Sequence, residues 1–167
     1  AGVVAALHAP IWLAVPCLAL LIALHASLQH EAIHWPPFRS PWLNAALVWP
    51  PPSLALPYLR FYDTHLAHHM DARLTDPFDD PETNFLDERV FESLPRPMRA
   101  VLEANNTLLG RLLLGPIIGQ LIFMAADLRA VRAGDLRVAL GWLLHLPAVG
   151  LVLWVVAHAP LPFWAYL

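Results

Sequence analysis

The sequence contains no lysine, a single cysteine and few charged residues of either sign. Its ten basic residues are therefore all arginine, and the thirteen acidic residues outnumber them, for a net charge of −3. No basic stripe exists to follow a phosphate backbone, so we expect no nucleic-acid partner. A single cysteine excludes an internal disulfide. This residue, Cys17, lies inside an apolar run, which favours a buried, unreactive thiol.

Charged residues make up only 14% of the chain and hydrophobic residues 58%, whereas soluble proteins contain about 25% charged residues. This balance is typical of a protein that resides in a lipid bilayer. The first basic residue is Arg39, so the amino-terminal apolar stretch lacks the basic start of a secretory signal. We therefore interpret that stretch as a membrane span.

Three apolar runs predict membrane-spanning helices, which need roughly 17 to 25 residues each. They cover residues 11–28, 107–126 and 138–157. A fourth apolar run, residues 42–59, contains Pro50-Pro51-Pro52. Prolines remove backbone donors and break helices, so this run predicts a shallow hairpin that returns to the same membrane side.

The remaining polar stretch, residues 60–106, is predicted to be the one sizeable aqueous segment of a single all-α, multi-pass membrane domain covering residues 1–167. More arginines flank the predicted spans on the side of this segment than in the opposite loop. Because positive residues favour the cytoplasm, we expect this side to face the cytoplasm of a bacterial inner membrane.

Two short histidine clusters interrupt the apolar sequence. Residues 30–34 read His-Glu-Ala-Ile-His, and residues 65–69 read His-Leu-Ala-His-His. Residues four apart share one face of an α-helix, and ionisable groups at membrane depth are costly enough to indicate function. The first cluster is expected just outside the hydrocarbon, and the proline-containing hairpin returns the second cluster to the same membrane side, so together they predict a membrane-surface metal site. The candidate ligands are His30, His34, His65, His68 and His69.

Other polar residues near the clusters are weaker candidates. Glu31 and Asp63 are close enough in sequence to orient ligand imidazoles. His145 and His158 each stand alone within apolar helix, so packed or interfacial roles are favoured for them. His25 is a weak additional candidate.

The first cluster also fits His-Glu-x-x-His, in which Glu31 would be the general base of a membrane zinc protease. A tetrahedral zinc takes four ligands in total, so five histidines favour two metal ions instead. A metal-free membrane scaffold is a third interpretation.

These motifs resemble those of the integral-membrane fatty-acid desaturase and hydroxylase superfamily. Residues 30–34 match its first histidine box, residues 64–69 its second, and residues 75–82 an acidic, proline-containing segment that often follows. The resemblance extends over roughly residues 11–157.

The resemblance implies an enzyme that holds two irons at the cytoplasmic membrane face and uses dioxygen to remove hydrogen from a lipid hydrocarbon chain. A fatty-acid desaturase is favoured by the acidic segment; the alternative product is a hydroxylated lipid, carotenoid or alkane. No flavin or dinucleotide fingerprint is found, so a separate electron donor of the ferredoxin or cytochrome type is expected. The wider acidic stretch around this segment, residues 71–92, could dock that donor or orient histidines, but we interpret most of it as solvated loop.

The superfamily carries a third His-x-x-His-His box after the last membrane pair, and residues 158–167 contain no such motif. We therefore expect the chain to be a fragment whose five histidines form a partial ligand set.

Overall fold

The structure is a computed structural model that describes residues 2–34, 37–80, 83 and 85–167. Pro81 and Glu82 of the acidic segment lie outside these residues. All regular structure within them is helical, which confirms the predicted all-α fold. The helices are α1 (Gly2–Leu7), α2 (Ile11–Ile33), α3 (Pro41–Leu47), α4 (Tyr58–Met70), α5 (Glu88–Ser93), α6 (Arg96–Asn105), α7 (Leu108–Leu113), α8 (Gly115–Arg132) and α9 (Leu136–Ala157), followed by a short 3₁₀ turn (Phe163–Ala165).

Two of these helices, α2 and α9, are long and apolar enough to cross a membrane by length and composition. Their most apolar 18-residue windows are only 11% and 22% buried within the protein. A helix at the centre of a soluble protein would be mostly buried, so these exposed apolar faces favour contact with lipid.

The helix expected over residues 107–126 is divided in two. α7 ends at Leu113 and α8 begins at Gly115, with Pro116 in its first turn. Proline has no backbone N–H and is tolerated at the start of a helix but not within one, which accounts for the break. α8 then continues to Arg132, past the predicted end. That this region crosses the membrane stays a prediction.

The chain divides into two compact units, Ala1–Tyr62 with Ala139–Leu167, and Asp63–Val138. The first unit has a core in which α1 packs against α2. Its buried members include Leu7, Leu18, Val156 and Tyr166.

Side-chain hydrogen bonds within the first unit fix the proline-rich segment that follows α3. The Tyr166 hydroxyl donates to the Pro52 carbonyl at 2.5 Å. A ring N–H of His145 donates from Nε2 to the Leu54 carbonyl at 3.1 Å. Prolines cannot form a helical ladder here, and these bonds hold the segment in place instead.

In the second unit, short polar side chains cap the amino-terminal ends of helices. Asp87 caps α5, Thr107 caps α7, and Asp135 accepts from the backbone N–H groups of Arg137 and Val138 at the start of α9. Such caps satisfy N–H groups that the helix itself leaves unpaired. Gly134, with φ +92°, makes the left-handed turn between α8 and α9.

Gly110 is buried at the start of α7 and packs against the end of α6. A Cβ atom at this position would overlap the backbone carbonyl of Ala104. The two short helices can therefore approach each other only because this residue is glycine.

Tyr58 provides a pH-dependent contribution to stability. Its side chain is buried, and its hydroxyl forms no hydrogen bond with any described residue. Burial, with a smaller contribution from Tyr62, raises the pKa of Tyr58 from 10.0 to about 12. Between these values the folded chain keeps the proton and the unfolded chain loses it, so stability should fall as pH rises through this window. We expect Tyr58→Phe to reduce that loss in denaturant titrations at pH 9 to 12. Tyr62→Phe is the matched control, and an equal effect of both variants would contradict the assignment to Tyr58.

Candidate metal centre

The first histidine pair lies at the carboxyl end of α2. His30 is in the last turn of the helix and His34 directly follows its final residue. The two rings share one face, with centroids 4.8 Å apart in an edge-to-face arrangement. The helix thus carries both imidazoles as a pair beyond its 18-residue apolar run, as the four-residue spacing predicts.

The second group lies in the last two turns of α4. The Nε2 atoms of His65 and His69 are 3.0 Å apart, and the ring of His65 is buried. Two ring nitrogens at this distance share either a proton or a cation, because facing lone pairs repel. Nitrogen ligands that bind one ion at about 2.1 Å in adjacent octahedral positions lie about 3.0 Å apart. The pair therefore fits a transition-metal ion.

His68, also on α4, has a different partner. Its Nδ1–H donates to Oδ1 of Asp80 at 2.8 Å, and the Asp80 side chain is only 2% exposed. The His68 ring centroid is 6.4 Å from that of His65 and 5.9 Å from that of His69. The second box thus contains a close pair and a third ring held separately.

Asp80 lies in a turn that hydrogen bonds hold in a defined conformation. Thr75 N–H donates to Asp80 Oδ2 at 3.0 Å, and Thr83 Oγ1 donates to the Thr75 carbonyl at 3.1 Å. The interpretation of the acidic segment as solvated loop holds for Asp79, which is exposed and pairs with Arg73. Asp80 instead bonds to a histidine, which is the alternative that the sequence left open, although its sequence context does not distinguish it from Asp79.

The two carboxylates that the sequence suggested as histidine partners behave differently from expectation. Glu31 Oε1 is 3.5 Å from Nδ1 of His30, but its side chain is 67% exposed, so water screens the contact. Asp63 pairs with Arg137 instead, through two hydrogen bonds of 2.8 and 2.7 Å. A guanidinium offers a carboxylate two parallel donors, which a single imidazole does not.

The remaining histidines have local roles. His145 is buried and bonded to Leu54, as described above, and His158 is exposed and bonded to the Trp154 carbonyl in its own helix at 2.8 Å. His8 similarly bonds to the Val4 carbonyl at 2.9 Å. Nδ1 of His25 has no hydrogen-bond partner among the described residues, and that side chain faces an apolar pocket of about 300 Å³.

The family model described as "Fatty acid desaturase" matches residues 7–167, almost the whole chain. No curated protein and no solved structure matches significantly.

Proposed function

The chain belongs to the fatty acid desaturase family, and from that premise we propose that it is a membrane-bound di-iron oxidoreductase acting on lipid hydrocarbon chains. Within that class we propose a fatty-acid desaturase that uses dioxygen. Hydroxylation of a lipid by the same centre is the alternative product. The observation that carries the proposal is the family match over residues 7–167, which includes both histidine boxes.

The proposed metal ligands are all imidazoles. We propose that His30 and His34 together with His65 and His69 bind metal, each through one ring nitrogen. We assign His68 to the same centre as a fifth ligand. Imidazole binds iron, zinc and copper, and five such ligands exceed the four of a tetrahedral zinc site, which supports two ions.

Bound iron would activate dioxygen, which is the oxidant that accepts hydrogen from an unactivated C–H bond and electrons from the donor and is reduced to water. The residues of the chain perform the other tasks. The α2 and α4 histidines hold the ions, and apolar helices such as α2 and α9 keep water from the reacting chain. An acyl lipid fits these apolar surfaces as substrate. Electrons would come from a separate ferredoxin-type or cytochrome-type donor.

We further propose an integral membrane location with the histidine boxes on the cytoplasmic side of a bacterial inner membrane. The two long apolar helices support membrane association. The excess of arginines flanking the histidine side supports the orientation.

Metal identity tests the proposal against the zinc-protease alternative. Protein purified in detergent without added chelator should contain iron in preference to zinc, measured by elemental analysis. Glu31→Gln should leave the iron content within about twofold of the unmodified protein, because the Glu31 carboxylate is solvent-exposed. Stoichiometric zinc together with peptide hydrolysis that Glu31→Gln abolishes would reject the desaturase in favour of the protease.

A further inference from the structure

The carboxylate of Asp80 is buried, although it stands in a run of acidic residues that faces water. Burying a carboxylate is costly unless hydrogen bonds compensate for the lost hydration. Both Asp80 oxygens are bonded, Oδ1 to the His68 ring and Oδ2 to the Thr75 backbone N–H. The carboxylate therefore connects the turn after α4 to a histidine of the second box.

The turn adopts a strained backbone to make this connection. Thr75 has φ +72°, a left-handed conformation that non-glycine residues rarely adopt because it is strained. Its carbonyl is held by Thr83, and the Asp80 N–H bonds to the Asp76 carbonyl at 3.2 Å. Strain of this kind persists where the surrounding structure over-determines it, as the bonds on both sides of Thr75 do here.

The bond to Asp80 determines which nitrogen of His68 is available to a metal. An ionised carboxylate only accepts hydrogen bonds, so the proton of the neutral imidazole lies on Nδ1 and the lone pair on Nε2. We propose that Asp80 is a positioning residue that fixes His68 as an Nε2 ligand of the metal centre. This inference rests on the proposed function. A carboxylate behind a ligand imidazole fixes the ring orientation and raises its basicity.

Asp80→Asn tests the inference, because asparagine retains one accepting oxygen. The other oxygen becomes an NH2 donor, so either the Thr75 N–H or the His68 Nδ1–H would face a donor instead of an acceptor. We expect Fe(II), titrated anaerobically into metal-free protein in detergent, to bind about 10- to 100-fold more weakly to Asp80→Asn. Asp76→Asn makes the same charge change in the same turn and has no bond to a histidine, so its affinity should stay within about twofold.

A second measurement uses the unmodified protein and does not depend on folding of the variant. In ¹⁵N spectra of histidine-labelled, metal-free protein, one signal that disappears in His68→Gln should show the proton on Nδ1. Finding that proton on Nε2 would overturn the inference, as would unchanged iron affinity in Asp80→Asn.

The same titration separates this inference from the proposed function. If His65→Ala loses iron binding while Asp80→Asn retains it, only the role of Asp80 is rejected. If both variants bind iron like the unmodified protein, the metal centre itself is rejected.

Discussion

Replacing His65 with alanine is expected to lower the affinity for Fe(II) by more than about 100-fold. Loss of a residue that only orients a metal ligand already lowers metal affinity about 10- to 100-fold, and His65 is a proposed ligand itself. His65 is the most buried ring of the second box, and its Nε2 is 3.0 Å from that of His69. The substitution removes one proposed ligand and leaves the His69 ring without its neighbour. Anaerobic Fe(II) titration and elemental analysis of purified protein measure the effect. In cells that produce the variant protein, fatty-acid profiles should lose the unsaturated product that we propose.

His158→Ala is the matched control for this prediction. His158 is exposed and bonded to the backbone of its own helix, so its removal should leave iron binding within about twofold. Thermal unfolding of both metal-free variants distinguishes loss of a ligand from loss of the fold. Equal iron contents in His65→Ala and the unmodified protein, with both folded, would contradict the assigned ligand set.

Gly110→Ala is expected to destabilise the fold by about 3 kcal/mol or more, at the upper end of overpacking effects. The added Cβ would overlap the Ala104 carbonyl, and backbone atoms cannot move aside as a flexible side chain can. α6 and α7 would have to separate, which would also strain the bond from the Gly110 N–H to Thr107 Oγ1. Thermal unfolding in detergent should show a midpoint lower by roughly 6–12 °C.

Gly119→Ala provides the matched control. Gly119 lies in α8, and a Cβ there would meet nothing within 4 Å. Alanine in a helix interior is favoured over glycine by up to about 1 kcal/mol, so this variant should be as stable as the unmodified chain or more so. Similar midpoints for Gly110→Ala and Gly119→Ala would show that α6 and α7 do not need the close approach.

Local sequence rules predicted much of the helical structure. The apolar run at residues 11–28 lies in α2, and the run at 138–157 lies in α9. The prolines at 50–52 fall between α3 and α4, as expected of residues that cannot continue a helix. Hydropathy alone did not predict the interruption before α8. The leucine-rich sequence around Pro116 is apolar throughout, so hydropathy predicts one continuous helix there.

The pairing of polar side chains was less accessible from sequence. Spacing of four residues placed His30 with His34 and His65 with His69, since helix geometry is local. Asp63 pairs with Arg137, which lies 74 positions away in the sequence. No local sequence pattern predicts such a pair. Burial of Asp80 depends on the left-handed backbone at Thr75. A threonine in the sequence does not predict this conformation.

The length of α2 couples the first histidine pair to its lipid surroundings. Its 18-residue apolar run, residues 11–28, spans about 27 Å, slightly less than a typical hydrocarbon core of about 30 Å. In a thicker bilayer the carboxyl end of the helix would be drawn towards the acyl chains, and His30 and His34 would lose hydration. Hydrophobic mismatch thus connects the acyl-chain length of lipids, the class of molecule that we propose as substrate, to the solvation of the imidazoles that we propose as ligands.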